Sequence, residues 1–432
     1  MTREPLGILG AGRVGLATAA CFAELGHRVI VRDVVPEHIA MLARGEVPIH
    51  EPGLSSLLGR NRDRLQYTLE VDDVLESARV VFVCVGTPST YSGDADLSAV
   101  WSIVEELASS LEPLLLVMKS TVPPGTGSRV RARLDANGLT HVGYVSNPEF
   151  LAEGTALADF NEPDRVVVGA FEPADGGRVA ALYEPLGAPI LQTNVASAEM
   201  IKLASNAALV TRISFINEIA NVCELVEADI DEVARGVGLD SRIGRQFLRA
   251  GIGYGGSCFP KDALALKQIA ANSGYHFQLL SAVIDVNELQ KRRVVQKLRT
   301  HLRSLRGRKI ALLGLAFKPD TDDVRGAPSL VLAHRLLAEG ATVHAWDPIA
   351  LEEARQVIDG VEFAETFLDA VAGADGAVLV TEWPELRGLA SVEVRDAMRT
   401  PLIVDGRNML EPDEARAIGF TYEAIGRPSP SR

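Results

Sequence analysis

The run GYGGSCFPKD, Gly253–Asp262, sets a thiol, an ammonium and a carboxylate within five positions of one another, directly after a glycine-rich turn. Gly253, Gly255 and Gly256 let backbone N–H groups converge without an intruding side chain. Pro260 suits the first turn of a helix, whose positive end, with Lys261 close by, would favour the thiolate of Cys258. Asp262, one turn on, could position a water molecule. A glycine hinge with a cysteine filling a gap would look the same in sequence, and both readings stand at this stage. Cys84 lies in a buried-strand pattern and Cys21 and Cys223 in helical ones, so these three read as packing. No spacing among the four suits a metal, and isolated thiols fit a reducing, cytoplasmic compartment.

Lysine is scarce, 8 of the 43 basic residues, and none precedes Lys119. Lys202 and Asn206 are four apart in a helical pattern and so share a face. Met200, Ile201, Leu203, Leu209 and Val210 surround them. Lys202 therefore either lays its stem along apolar surface or works with the amide one turn later.

Such groups need elements to hold them. Leu6–Leu9 reads as a strand, Gly10-Ala11-Gly12-Arg13-Val14-Gly15 as a dinucleotide turn, Leu16–Leu25 as a helix, and Arg28–Val31 as a strand ending at Asp33. The glycines permit a tight turn and close approach of a pyrophosphate to a helix N-terminus, and Asp33 is placed to accept from a ribose 2′-OH. The reading is NAD, with NADP left open by Arg32. Three later strands end in hydroxyl residues, prolines or acids. Gly86-Thr87-Pro88 follows Val80–Val85, Lys119-Ser120-Thr121 with Val122–Thr126 follows Leu114–Met118, and Asn147–Gly154 follows Val142–Ser146. Any one Thr or Ser there also reads as a helix cap. Three such ends along one edge favour a binding site.

The pattern returns near the C-terminus. AELGHRVIVRD is echoed by AEGATVHAWD, and SARVVFVCVGTP by GADGAVLVTEWP, but Leu315-Ala316-Phe317-Lys318 replaces the fingerprint after Gly314. The expectation is two Rossmann-like, doubly wound α/β domains of which only the first has a dinucleotide turn. Between them Ser197–Val226 reads as one long helix capped at Ser197, Asp229–Arg249 as further short helices, and the tail from Gly426 as disordered. The domains are set at 1–196, 197–300 and 301–432.

A hydride acceptor together with a thiol suggests oxidation of a primary alcohol to an acid: the aldehyde is captured as a thiohemiacetal, oxidised again to a thioester, and hydrolysed. A two-electron hydroxy-acid dehydrogenase would have no use for Cys258 or a second α/β unit. A non-catalytic Rossmann sensor would not need Cys258, Lys202 and Asp262 together. The net charge of −14 argues against nucleic acid or an anionic membrane as the main partner. No apolar run approaches membrane-spanning length. MTREP passes directly into a strand, which reads as leaving no room for a signal peptide.

GAGRVG, GTP, KSTVPPGT, NPEFLAEG, EMIKLASNA with RISFINE, GYGGSCFPKD, GLAFKPDTDD and VDGR, in that order over nearly the whole chain, resemble the nucleotide-sugar 6-dehydrogenases of the UDP-glucose/GDP-mannose dehydrogenase family. Members acting on UDP-glucose match most nearly; TDP-glucose, GDP-mannose or a UDP-N-acetylhexosamine are the alternatives. The resemblance implies an NAD domain, a helical dimerisation core and a nucleotide-sugar domain. It implies Cys258 as nucleophile, Lys202 and Asn206 holding oxyanions at C6, Asp262 activating water, and Glu149 and Thr121 assisting proton transfer. It places Gly10, Gly12, Arg13, Val14, Gly15, Asp33, Thr87, Pro88, Ser120, Thr121, Glu153 and Lys261 at the cofactor, with Arg325 reaching it from the C-terminal domain. The sugar nucleotide would meet Phe150, Leu151, Glu153, Phe247, Leu248, Arg249, Gly253, Tyr254, Gly255, Phe317, Lys318 and Arg407, and Arg242 would reach the substrate of a partner subunit. The chain departs from the family where Arg-Glu-Ser-Pro is common, having Arg325-Gly326-Ala327-Pro328, and Arg249-Ala250-Gly251-Ile252 lacks a proline that some relatives carry.

Overall fold

Along the first strand Leu6 and Ile8 pack into one core and Leu9 into another, and all three are fully buried. The same division holds for Val80 and Phe82 against Val81 and Val83. A strand buried on both faces is the mark of a parallel sheet covered by helices on each side. In the computed structural model, which describes residues 3–107 and 112–428, the chain divides into two units. One holds the residues up to Ser205 together with Leu264–Ser273; the other holds Asn206–Ala263 and the residues from Gly274 onward.

The first unit is built on eight strands: β1 Leu6–Leu9, β2 Val29–Arg32, β3 Leu65–Thr68, β4 Val80–Val83, β5 Leu114–Met118, β6 Val142–Ser146, β7 Val166–Ala170 and β8 Ile190–Thr193. Their order is β3-β2-β1-β4-β5-β6-β7-β8. All neighbours are parallel except β6 and β7. The chain runs outward from β1 through β2 to β3 and returns to β4 on the other side of β1. Ligands of doubly wound sheets bind at this reversal, beyond the strand C-termini.

The second unit repeats the plan with β9 Lys309–Leu313, β10 Thr342–Trp346, β11 Val361–Phe363, β12 Gly376–Leu379, β13 Leu402–Asp405 and β14 Thr421–Ala424, in the order β11-β10-β9-β12-β13-β14, all parallel. Helices Ile230–Gly238, Gln278–Gln290 and Arg293–Leu302 belong to this unit. The two-sheet expectation holds.

The long helix is Val195–Val226, 32 residues, and the division between the units falls within it. It starts two residues earlier than the pattern suggested. Asn194 is the cap: its Oδ1 accepts from Ser197 N at 2.8 Å, so Ser197 receives the capping bond instead of supplying it. Asp229–Arg249 is also corrected. Only Ile230–Gly238 is helical; further on, Gly244 and Phe247 adopt left-handed φ values of 73° and 59°, which no helix accommodates. The tail is ordered through Arg427, whose guanidinium donates to Asp231, Leu410 O and Asn408 O; residues 429–432 lie outside the described residues. No helix among the described residues is long and apolar enough to cross a membrane.

Candidate active site

In the N-terminal unit the fingerprint turn has the geometry its glycines require. Gly10 has φ +109°, and a Cβ there would sit 2.8 Å from Cys84 O. A Cβ on Gly15 would fall 1.9 Å from Gly10 O. Gly12 differs: a Cβ there would meet nothing within 4 Å. The protein leaves that position open, as close approach of a pyrophosphate demands, so the residues present fit a dinucleotide. Asp33 accepts from Ala11 N at 2.6 Å and from Val35 N at 2.9 Å, which holds its carboxylate beside the turn. Arg32 is engaged with Glu106 at 2.9 Å and with Leu69 O. An acid already against that guanidinium disfavours a 2′-phosphate and thus NADP.

The strand-end turns meet beside the fingerprint. Arg13 lies 3.5 Å from Glu153 and also donates to His50 O. Thr87 Oγ1 donates to Thr121 O at 2.8 Å, and Ser120 Oγ to Val85 O at 2.7 Å. Pro88 O accepts from Asp96 N, and Val14 packs into the core from the first turn of the helix Arg13–Glu24.

A buried ion pair stands in the same unit. Lys202 Nζ is 2.9 Å from Glu149 Oε1, with the two side chains only 5% and 6% exposed. Leu151 N donates to Glu149 Oε2 at 2.6 Å. Burial by itself would raise the Glu149 carboxyl; the Lys202 ammonium, the Leu151 N–H and the nearby Lys119 outweigh it and hold the group below the usual carboxylate range. Two cations lie over the Phe150 ring, Arg165 at 3.7 Å and Lys202 at 5.4 Å from its centroid. Lys202 is therefore not lying along apolar surface with its charge in water.

Sequence reasoning gave no role to three buried charged residues around these turns. Lys119 donates to Asn147 Oδ1 and Tyr183 OH, both at 3.2 Å, and burial lowers its ammonium to about 8. Glu51 accepts from Gly154 N and Ala156 N across more than a hundred residues, tethering the end of NPEFLAEG. Glu199 accepts from Gly125 N and Gly127 N. The scarcity of lysine pointed to Lys119. Nothing local marks either glutamate, whose partners are backbone groups remote in sequence.

In the second unit Cys258 occupies the N-terminal end of the helix Phe259–Asn272, and its carbonyl accepts from Asp262 N at 2.8 Å. The thiol is half-buried, with Ser257 Oγ 3.6 Å from Sγ. Asp262, 1% exposed, accepts from Asn206 Nδ2 and from Lys261 Nζ, each at 2.6 Å. The glycines before the cysteine are explained by close packing. A Cβ on Gly253 would be 2.5 Å from Asn287 Oδ1, and one on Gly255 2.4 Å from Gly326 O. One on Gly256 would be 2.8 Å from the Phe317 ring. Asn287 pairs with both the N–H and the C=O of Tyr254. The loop is thus pinned, which a hinge would not be. Gly326, where the family commonly has Glu, adopts φ +61° and supplies the carbonyl facing Gly255. By contrast burial pushes the thiols of Cys21 and Cys84 up to about 12 and raises that of Cys223, which disfavours the thiolate at all three.

Arg407 donates to Val380 O, Gly253 O and Phe317 O and thereby ties three loops together. Arg249 donates to Arg407 O, Lys318 lies over the Phe317 ring, and Arg325 forms a two-pronged contact with Asp323. Leu248 is buried in the core, whereas Phe247 is exposed and edges Phe259. Arg242, 87% exposed, is gripped by Asp240. The turn after β9 lacks the open glycine of the first: Ala316 stands where Gly12 does and is fully buried, and Asp347, the counterpart of Asp33, accepts from the N–H groups of Leu315 and Ala316 and from Trp383 Nε1.

Family models match the chain in three segments. Residues 5–187 match the NAD binding domain of the UDP-glucose/GDP-mannose dehydrogenase family, 196–289 its central domain and 311–412 its UDP binding domain. The chain is 46% identical to a UDP-glucose 6-dehydrogenase of Pseudomonas aeruginosa, with 98% of this chain and 97% of that protein covered. It is 44% identical to UDP-glucose 6-dehydrogenase TuaD of Bacillus subtilis, with 99% and 94% covered. A solved UDP-glucose dehydrogenase from Pyrobaculum islandicum superposes with a TM-score of 0.92 at 38% identity, covering 99% and 98%. With three family segments matched in order and a turn shaped for a dinucleotide in the first of them, the chain belongs to the UDP-glucose/GDP-mannose dehydrogenase family and uses NAD.

Proposed function

We propose that the protein oxidises the C6 hydroxyl of UDP-glucose to a carboxylate, yielding UDP-glucuronate with two NAD consumed per sugar. The observation that carries this reading is Cys258 at a helix N-terminus, with Asp262 one turn behind it, in a chain whose N-terminal unit is an NAD domain. The relatives at 44–46% identity, named for UDP-glucose, support the choice of base and sugar.

Bound NAD accepts a hydride in each of the two oxidations. The residues do the rest. The helix N-terminus favours the thiolate of Cys258, whose attack on the C6 aldehyde forms a C–S bond and turns the carbonyl oxygen into an alkoxide. Lys202 and the second amide hydrogen of Asn206 stabilise that charge, and loss of a hydride leaves a thioester. Asp262, aimed by Asn206 and Lys261, orients the water whose attack breaks the C–S bond and returns the thiolate. Glu149, kept ionised by Lys202, receives protons with help from Thr121. The base and ribose are taken by the second unit, where Phe317, Lys318 and Arg407 line the turn. With limiting UDP-glucose and excess NAD the expected yield is two NADH per sugar; a yield of one would mean the reaction stops at the aldehyde and leaves Cys258 without this role.

A homodimer completes the proposal. Phe215, Val222, Leu225 and Val226 form an exposed apolar stripe on the long helix, Leu225 being 83% exposed. A groove of about 360 Å³ lined by Phe215, Ile219, Val222, Leu225 and Arg293 runs beside it. A second copy is the occupant, since a single helical stripe can pack against itself about a two-fold axis, and Arg242 then reaches the partner's substrate. Introducing Val222→Lys with Leu225→Lys is expected to halve the mass measured by light scattering and to lower turnover. An unchanged mass would discard this face as the interface.

A further inference from the structure

Helix Thr126–Ala136 begins without any local cap. Its N-cap is Gly125, in the left-handed region at φ +93°, no side chain bonds there from the neighbouring sequence, and its first turn has no acid. The missing acceptor comes from far along the chain. Glu199, 2% exposed, accepts from Gly125 N through Oε2 and from Gly127 N through Oε1, both at 2.7 Å. Gly127 is required for this approach. A Cβ there would fall 2.4 Å from Val195 Cγ1, 2.6 Å from the Tyr144 ring and 3.0 Å from Glu199 Oε1. The loop that Glu199 clamps is the one bearing Ser120 and Thr121, whose other end is tied to Val83, Val85 and Thr87. Glu199 also stands three residues before Lys202 on one helix.

We propose that Glu199 is a positioning residue which, as a carboxylate, holds the Thr121 loop in register with Lys202, so that loss of its charge releases the loop and lowers turnover. The proposal rests on the reading above that Thr121 and Lys202 serve the reaction. A carboxylate accepts both N–H groups; protonation converts one oxygen into a donor and gives up one of them. Burial raises the Glu199 carboxyl to about 7 against the pull of the two N–H groups, so the clamp tightens as pH rises through neutrality. The groups facing it are few. From β6 comes the Tyr144 hydroxyl, buried without a hydrogen-bond partner and itself raised by burial and by Glu199. From the N-cap and first turn of the helix Thr126–Ala136 come the Gly125 and Gly127 N–H groups, and Val195 presents only a methyl. On its own helix the nearest charge is Lys202, which pairs with Glu149.

The test is the pH profile of kcat/KM for NAD in Glu199→Gln, whose amide has one acceptor and turns a donor toward the second N–H. The expected result is a roughly tenfold loss above pH 8 and disappearance of the limb that rises through neutrality in the parent enzyme. Glu199→Asp, which keeps the charge, should retain that limb. A limb unchanged in Glu199→Gln, whatever the loss of rate, would reduce Glu199 to a structural cap and overturn the proposal. If Glu199→Gln does not fold, the parent protein labelled with ¹⁵N-glycine decides. The Gly125 and Gly127 amides should titrate together with a midpoint near 7, and flat signals from pH 5.5 to 8.5 would sink the idea. This amide titration does not depend on catalysis, so failure of the proposed reaction would leave it standing.

Discussion

Replacing Cys258 with serine is expected to lower acid formation by about 10³-fold or more while leaving the Kd for UDP-glucose within about threefold. A hydroxyl fills nearly the same space but supplies almost no anion at neutral pH, so the helix N-terminus has nothing to stabilise. The loop itself should be undisturbed, because its shape depends on the close approaches of Gly253, Gly255 and Gly256 and on Asn287, none of which involves the sulfur. Acid production followed by product analysis, with Kd from calorimetry, separates the two readings of GYGGSCFPKD. If the cysteine merely fills a gap, the variant loses some stability and keeps its acid yield, and the covalent route is then discarded.

Lys202→Met is expected to lower kcat by about 10²–10³-fold, the usual consequence of removing one donor to a developing oxyanion. It should also cost about 3–5 kcal/mol of stability near neutral pH, since it strands a buried carboxylate. The sign of the pH response follows from what holds Glu149. Burial pushes its carboxyl up, and Lys202 is the first of the groups that bring it below the usual range. Without Lys202 the carboxyl rises, so the variant becomes more stable as pH falls and the group takes up a proton. Adding Glu149→Gln removes the stranded charge and should restore much of the stability but none of the turnover. Denaturant titrations from pH 5 to 8 and kcat for the single and double variants make the comparison. Recovery of turnover in the double variant would mean that Lys202 acts only as a counter-ion to Glu149.

Residue types and spacings alone were enough to place two α/β sheets and the single dinucleotide turn, because both rest on local rules. Apolar runs such as Val80–Val83 and Leu114–Met118 are strands by composition, and a glycine turn between strand and helix has one common geometry. The proposed nucleophile and its neighbours stand out in sequence for the same reason, as Cys258, Lys261 and Asp262 lie within one turn of a helix. The failures were also local. Ser197 resembled a cap, but Asn194, three residues earlier, has its Oδ1 on the correct N–H. The segment after Gly238 had helical composition, yet it is irregular, with left-handed backbone at Gly244 and Phe247.

Three kinds of fact came only from the folded chain. Lys202 and Glu149 are 53 residues apart, and only their contact shows that the ammonium has a buried counter-ion in place of an apolar surface to lie on. Arg32, which in sequence left a 2′-phosphate open, is turned to Glu106. The glycines of GYGGSCFPKD, which suggested a ring of N–H groups, prove to be clearance for Asn287, Gly326 and Phe317. Composition and spacing specify what a residue can do and which helix or strand it occupies, because those depend on near neighbours along the chain. Charge state, clearance and the tethering of loops by Glu51 and Glu199 depend on groups brought together across many residues, and burial there changes the energy of every charge.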